Sequence, residues 1–444
     1  MKRDKKYKLN GSSSVIVIVM IIGLISICYQ IGLKNICVDM LNMKAEWIDK
    51  TITSMEGGSI YSPDVVDINW KKLYPYKSEK AYNQEVIEGS NTTSNTKSGK
   101  IAQIYSQFEK YSSDYFTFTN MCEKVSKSFN KSIGMNIVSD SYGNIVYKMS
   151  DGRYSAERAY KNNDAEANNI ISFASYLKES GINYAYIAVP SPVDPDEADN
   201  IITRGYKEYS NVMMDEVLDK LKANNIYTHD LRQDLKAANI SWSDVFFKTD
   251  HHWRPEYGIW GAEKISDVID ELQGIESDKS VFDKGNYIIE KTDNIYMGGF
   301  GKSLTTVYTS KDDMEVWLPL FSTNISKTVP KYGLNLNGKF EDVIYDMSSW
   351  PTYNIWNHGI QPEKTYKNNE KDNKFKILLL TESYSDVVSP FLACTYSDIE
   401  EIDLRCFDGS LETYIETTKP NIVLTIYSAY DYNSGAENNL YDFR

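Results

Sequence analysis

From about residue 131 onward, short apolar runs alternate with segments of helical periodicity, and that alternation restricts the fold more than any other feature. Residues 144–149 read as a strand closed by Asp151-Gly152, and 184–189 as a buried-type strand stopped by Pro190-Ser191-Pro192. Residues 165–179 carry Ile170, Ile171, Phe173, Ala174 and Leu177 at helical spacing and end before Gly181. Residues 212–223 are again helical, and 226–231 form another short strand. The strongest strands come late, at 375–380 and 421–427. Runs apolar on both faces must be covered on both faces, so the pattern predicts an α/β, three-layer domain with a mostly parallel sheet. In such sheets ligand sites gather at the carboxyl ends of the strands.

The amino-terminal residues set a different expectation. Residues 14–33 are apolar apart from Ser14, Ser26, Tyr29 and Gln30, behind a basic segment containing Lys2, Arg3, Lys5 and Lys6. A helix needs ~20 apolar residues to cross a bilayer. The basic flank stays cytoplasmic, and no small-x-small cleavage site follows, so an uncleaved signal anchor is expected. The predicted organisation is a cytoplasmic tail (1–13), a transmembrane anchor (14–33), an extracytoplasmic stalk or adaptor (34–130) and a catalytic domain (131–444). Within the stalk a tract rich in Gly, Ser, Asn and Thr near 86–100 reads as a flexible linker. The expected location is therefore the cell membrane, single-pass, with the catalytic domain outside.

A net charge of −14 argues against sequence-independent nucleic-acid binding, which needs a basic surface. Five cysteines, widely spaced and without a CxxC, outline neither a disulfide framework nor a zinc–thiolate site.

The chemistry concentrates in Thr249-Asp250-His251-His252-Trp253, which holds two of the chain's 4 histidines beside a carboxylate. Histidine suits proton transfer near neutral pH, and a carboxylate fixes its tautomer and steadies its charged form. In a loop, residues i and i+2 can point the same way, so Asp250 can orient His252 while His251 projects elsewhere. Ser383 follows directly on a buried strand, within Thr381-Glu382-Ser383-Tyr384-Ser385 and before a helix expected over 386–396. A strand-end serine is placed for nucleophilic attack, although Ser383 or Ser385 would also serve as a helix N-cap. With Asp250 and His252 it completes the logic of acyl transfer. Gly298-Gly299-Phe300-Gly301 permits close backbone approach to an oxyanion, and it is also an ordinary turn sequence.

These residues resemble a known family. Thr249–Trp253 with the following Arg254-Pro255-Glu256-Tyr257-Gly258, the late Ser-Tyr-Ser, Val189-Pro190-Ser191, Met297-Gly-Gly-Phe-Gly301 and Ser389-Pro390-Phe391-Leu392-Ala393 look like the DHHW proteins. These are relatives of the alginate O-acetyltransferase-like (AlgX/AlgJ-type) branch of the SGNH hydrolases, and the likeness spans roughly 130–444. It implies an SGNH-like domain in which Asp250, His252 and Ser383 are catalytic. Gly299, Gly301, Tyr384, Asn433, Arg254 and His251 are candidate oxyanion or substrate-binding residues. Thr381-Glu382 before the serine departs from the family pattern. The resemblance further implies an O-acetyltransferase or acetylesterase without a cofactor, acting on a cell-surface or exported polysaccharide. Its implied partner is a multi-pass membrane O-acyltransferase that supplies acyl groups.

Two other readings stay open. Asp-His-His is also a manganese motif of phosphoesterases, but no aspartate-rich partner motif lies upstream. A non-catalytic glycan-binding or assembly protein on the same scaffold is the other.

Overall fold

The computed structural model describes residues 127–134, 138–139, 145–372, 375–428 and 441–443. The chain divides into two compact units, Met1–Ile133 and Gly134–Arg444, and the second carries the elements below. Among the described residues no helix is long and apolar enough to cross a membrane. The expected tail, anchor and linker, nearly all of the stalk, and Asn433 lie outside the described residues.

Strands β1 (Val138–Ser139), β2 (Ile145–Lys148) and β3 (Tyr154–Ala156) form a small antiparallel sheet. The chain continues through α1 (Asp164–Glu179), β4 (Asn183–Val189), α2 (Pro195–Thr203), α3 (Ser210–Ala223), β5 (Thr228–Asp230), α4 (Leu231–Ala237) and α5 (Trp242–Val245). Then follow α6 (Pro255–Gln273), β6 (Tyr287–Tyr296), α7 (Gly299–Tyr308), β7 (Asp312–Pro319), β8 (Ile325–Val329), β9 (Leu334–Gly338) and α8 (Phe340–Ile344). The last elements are β10 (Glu363–Asn368), β11 (Lys376–Thr381), α9 (Ser389–Thr395), β12 (Asp398–Ile402), α10 (Leu411–Thr418) and β13 (Ile422–Ser428).

Eight strands make the central sheet in the order β5-β4-β13-β11-β12-β10-β8-β9. The first five are parallel. Alternating side chains of β11 explain the layering. Leu378 and Leu380 pack with Ile170, Phe173 and Leu177 of α1 and Val217 and Leu221 of α3. Ile377 and Leu379 enter the opposite core with Ile259, Ala262 and Ile265 of α6. Both faces of β11 are covered by helices, which is why Ile377 to Leu380 is apolar without alternation.

The sheet also departs from the expectation. β10, β8 and β9 extend it antiparallel beyond β12, and β6 pairs with β7 as a separate hairpin. Most of β6 is exposed, so it carries little apolar signal in the sequence. The helix expected over 386–396 is split. Ser383–Val387 forms a 3-10 turn, and α9 begins at Ser389 with a proline in its first turn. Pro390 disfavours a helical conformation in the residue before it, then suits the start of a new helix.

Candidate active site

The loop between α5 and α6 is pinned at both ends before any functional side chain is considered. Thr249 donates its N–H and hydroxyl to Asp312 Oδ2 at 2.8 and 2.6 Å, and Lys248 N–H reaches Asp312 Oδ1 at 3.0 Å. Arg254 N–H donates to the Val245 carbonyl at 2.7 Å. Trp253 is fully buried, and its indole N–H bonds the Tyr384 carbonyl at 2.9 Å. The Tyr384 hydroxyl returns to the His251 carbonyl at 2.5 Å. These two bonds tie the Asp-His-His loop to the turn after β11 across more than a hundred residues of chain. α6 comes close enough because Gly261 faces the Trp253 ring, where a Cβ would stand 2.7 Å away.

Asp250, His252 and Ser383 lie in one hydrogen-bonded line. His252 Nδ1 stands 2.6 Å from Asp250 Oδ1, and His252 Nε2 stands 2.9 Å from Ser383 Oγ. Asp250 Oδ1 also accepts the His252 N–H at 3.0 Å. Its Oδ2 accepts the Tyr296 hydroxyl at 2.6 Å and the Gly299 N–H at 2.8 Å. Burial works against charge on Asp250, yet His252 and His251 beside it, with bonds from His252 and Tyr296, hold its carboxyl well below the usual range. An ionised acceptor on Nδ1 leaves Nε2 free to take a proton from the serine.

The His251 ring lies against His252, with centres 3.9 Å apart and planes tilted by 36°, and its Nδ1 is 3.3 Å from Asp250 Oδ1. Burial first, and the adjacent His252 second, push the His251 imidazole down to about 3. It is therefore neutral near neutral pH. Tyr353 stacks flat on the catalytic candidate, 3.9 Å from the His252 ring and inclined by 12°. Tyr353→Ala should loosen the imidazole and lower turnover roughly tenfold, the scale of a small loss of alignment. Tyr353→Phe keeps the ring, and steady-state kinetics should find it within about twofold of wild type; a tenfold loss there would shift the role from the ring to the hydroxyl.

Ser383 opens the 3-10 turn, and neither Ser383 nor Ser385 caps it. Glu382 is the cap, its side chain accepting the Tyr384 N–H. The buried Glu382 carboxylate also accepts the Ser428 N–H at 3.1 Å and stands 3.3 Å from Ser383 Oγ. The single hydroxyl proton thus has two acceptors, and His252 is the nearer. The Ser383 N–H has no partner among the described residues.

The glycines do something other than the oxyanion role expected of Gly299 and Gly301. The Gly299 N–H is taken by Asp250, and the Gly301 N–H by the Thr249 carbonyl at 2.9 Å. A Cβ at Gly298 would stand 2.2 Å from Asp250 Oδ2, so the glycine-rich turn cradles the acid. Tyr384 is buried and braces the loop, as described. Arg254 starts α6 and lays its guanidinium over Phe247, 5.9 Å from the ring centre. Tyr296, Tyr353 and Asp312 had no signal in the sequence as site residues, whereas Glu382 was marked by its place beside Ser383. Each of the first three reaches the site only through the tertiary fold.

Ligand atoms of Asp250, His251 and His252 lie within 4.8 Å of one another, a grouping compatible with a metal ion in count. The donor set fits one poorly. Both Asp250 oxygens already accept two bonds each, and a cation on His252 would have to displace its bond to Asp250 or to Ser383.

The SGNH hydrolase-like domain of the acetyltransferase AlgX matches residues 149–295, a segment that contains Asp250 and His252 and ends before Ser383. No curated protein shows significant sequence similarity to the chain. Among solved structures, PatB1 of Bacillus cereus is 20% identical, with a TM-score of 0.55 over 68% of this chain and 100% of that one. PatB1 with a sulfonyl adduct matches with a TM-score of 0.54 at 20% identity, over 68% of this chain and 97% of that one. A DHHW family protein from Eubacterium siraeum is 18% identical, with a TM-score of 0.52 over 69% of this chain and 96% of that one. At these identities the structural likeness is one of fold.

Proposed function

We propose that this chain is a member of the SGNH-hydrolase-like superfamily, in its DHHW and AlgX/AlgJ-type branch, and an O-acyltransferase or acetylesterase acting on a cell-surface or exported polysaccharide. The observation that carries this reading is the unbroken line from Asp250 through His252 to Ser383. Ser383 Oγ attacks the acyl carbonyl while His252 Nε2 takes its proton. Asp250 steadies the imidazolium, and the uncommitted Ser383 N–H faces the charge developing on the carbonyl oxygen. Collapse of the adduct releases the donor's alcohol, which leaves with the proton from His252. A sugar hydroxyl then attacks the acyl-serine and loses its proton to His252; with water in its place the outcome is hydrolysis. An amino-terminal anchor and a multi-pass acyl donor partner complete the proposal, keeping donor and acceptor at one membrane surface.

The test is covalent. An activated acetyl ester mixed with the purified extracytoplasmic chain should leave an acetyl group on Ser383, located by peptide mass mapping. Its rate should fall on the acid side with a slope of one proton. Asp250 is ionised and His251 neutral throughout roughly pH 5 to 8, where histidine bases act, so neither adds a second proton. Folded protein that takes no acetyl would favour a glycan-binding scaffold, with Glu382 at 3.3 Å from the hydroxyl as the first cause to examine.

A further inference from the structure

A buried ammonium grips the nucleophile's turn from behind. Asp386, in the same 3-10 turn as Ser383, is buried, and its Oδ1 receives Lys364 Nζ of β10 at 2.8 Å. Lys364 is equally buried and also donates to Glu401 Oε1 of β12 at 3.1 Å. That oxygen takes the Thr381 hydroxyl at 3.2 Å, from the last residue of β11. Lys364 therefore holds the serine segment on both sides, Thr381 before it through Glu401 and Asp386 after it directly. Glu401 Oε2 is held in turn by the Tyr366 hydroxyl at 3.1 Å and by Asn357 Nδ2 at 3.3 Å. Asp386 Oδ2 has no hydrogen-bond partner among the described residues.

Buried charges of this kind usually add no stability over apolar side chains of the same shape. What they add here is a fixed position. A short 3-10 turn has few bonds of its own, and its geometry is poorer than that of an α-helix. Only the antiparallel placement of β10 beside β12 brings Lys364 under it. We propose that Lys364 and Asp386 are positioning residues that hold Ser383 in register with His252. The inference rests on Ser383 being the nucleophile.

Acylation of Ser383 by para-nitrophenyl acetate, followed by the burst of para-nitrophenol together with kcat and KM, tests it. The double variant Lys364→Met with Asp386→Leu removes the strap; Glu401 loses its ammonium partner and keeps its bonds from Thr381, Tyr366 and Asn357. The variant should fold, with its thermal midpoint as control, yet acylate about 100-fold more slowly at a KM within about twofold, the scale of a misplacement near 1 Å. Asp386→Asn keeps an oxygen for Lys364 and should stay within about fivefold of wild type. Thr381→Val spares every charge, should fold in any case, and should lose roughly fivefold. The idea is overturned by a folded double variant that acylates at the wild-type rate, by Asp386→Asn as slow as the double variant, or by an unchanged Thr381→Val. Wild-type protein that forms no adduct at Ser383 defeats the nucleophile reading itself, whereas normal labelling with equally fast variants defeats only the strap.

Discussion

Ser383→Ala should abolish ester turnover, lowering kcat by about 10⁶-fold, the scale seen when a triad nucleophile is lost. The fold should survive, because the hydroxyl's bonds are to His252 and Glu382 and it fills no core position. His252→Ala should cost nearly as much, and the double variant little more, since neither group has a catalytic partner once the other is gone. Progress curves with an activated ester, alongside circular dichroism of each variant, measure this. Residual turnover of even one part in a hundred in folded Ser383→Ala would remove Ser383 from the mechanism and turn attention to His251 and Glu382.

Asp250→Asn should lower kcat by about 10⁴-fold, because the amide no longer stabilises the imidazolium and favours the wrong tautomer. The structure adds a second consequence. All four bonds to this carboxylate come from donors: His252 Nδ1, the His252 N–H, the Tyr296 hydroxyl and the Gly299 N–H. An asparagine satisfies one side and turns its own N–H₂ toward donors on the other. Tyr296 can rotate its proton away, but the Gly299 N–H cannot, so about 1–3 kcal/mol of stability should be lost as well. The wild-type carboxyl is held below its unfolded value, so the stability it contributes is fully present above roughly pH 4. It is lost as pH falls toward the depressed folded value. Thermal melts from pH 7 downward should therefore find wild type and Asp250→Asn converging in acid. Parallel melting curves at all pH values would refute the account of Asp250, and near-normal turnover would refute its catalytic role.

The sequence by itself determined the α/β class, the buried strands and the local pairing of Asp250 with His252. Each depends on neighbours in the chain: strand and helix periodicity within a dozen residues, and an i, i+2 contact inside one loop. It also marked Ser383, since a serine after a run as apolar as Ile377–Leu380 must emerge at a strand end. The glycines were legible as residues that permit a close backbone approach, but nothing local says that Gly298 and Gly299 face Asp250. The tertiary structure alone decided the rest. Ser383 meets His252 across 131 residues, Tyr296 reaches Asp250 from a hairpin, and Tyr353 covers the imidazole from a loop between α8 and β10. Lys364 reaches Asp386 only because β10 joins the sheet antiparallel, a choice its own exposed-and-buried alternation does not encode. Such contacts depend on register and strand order, which are settled by packing the whole domain at once and leave no periodic trace along the chain.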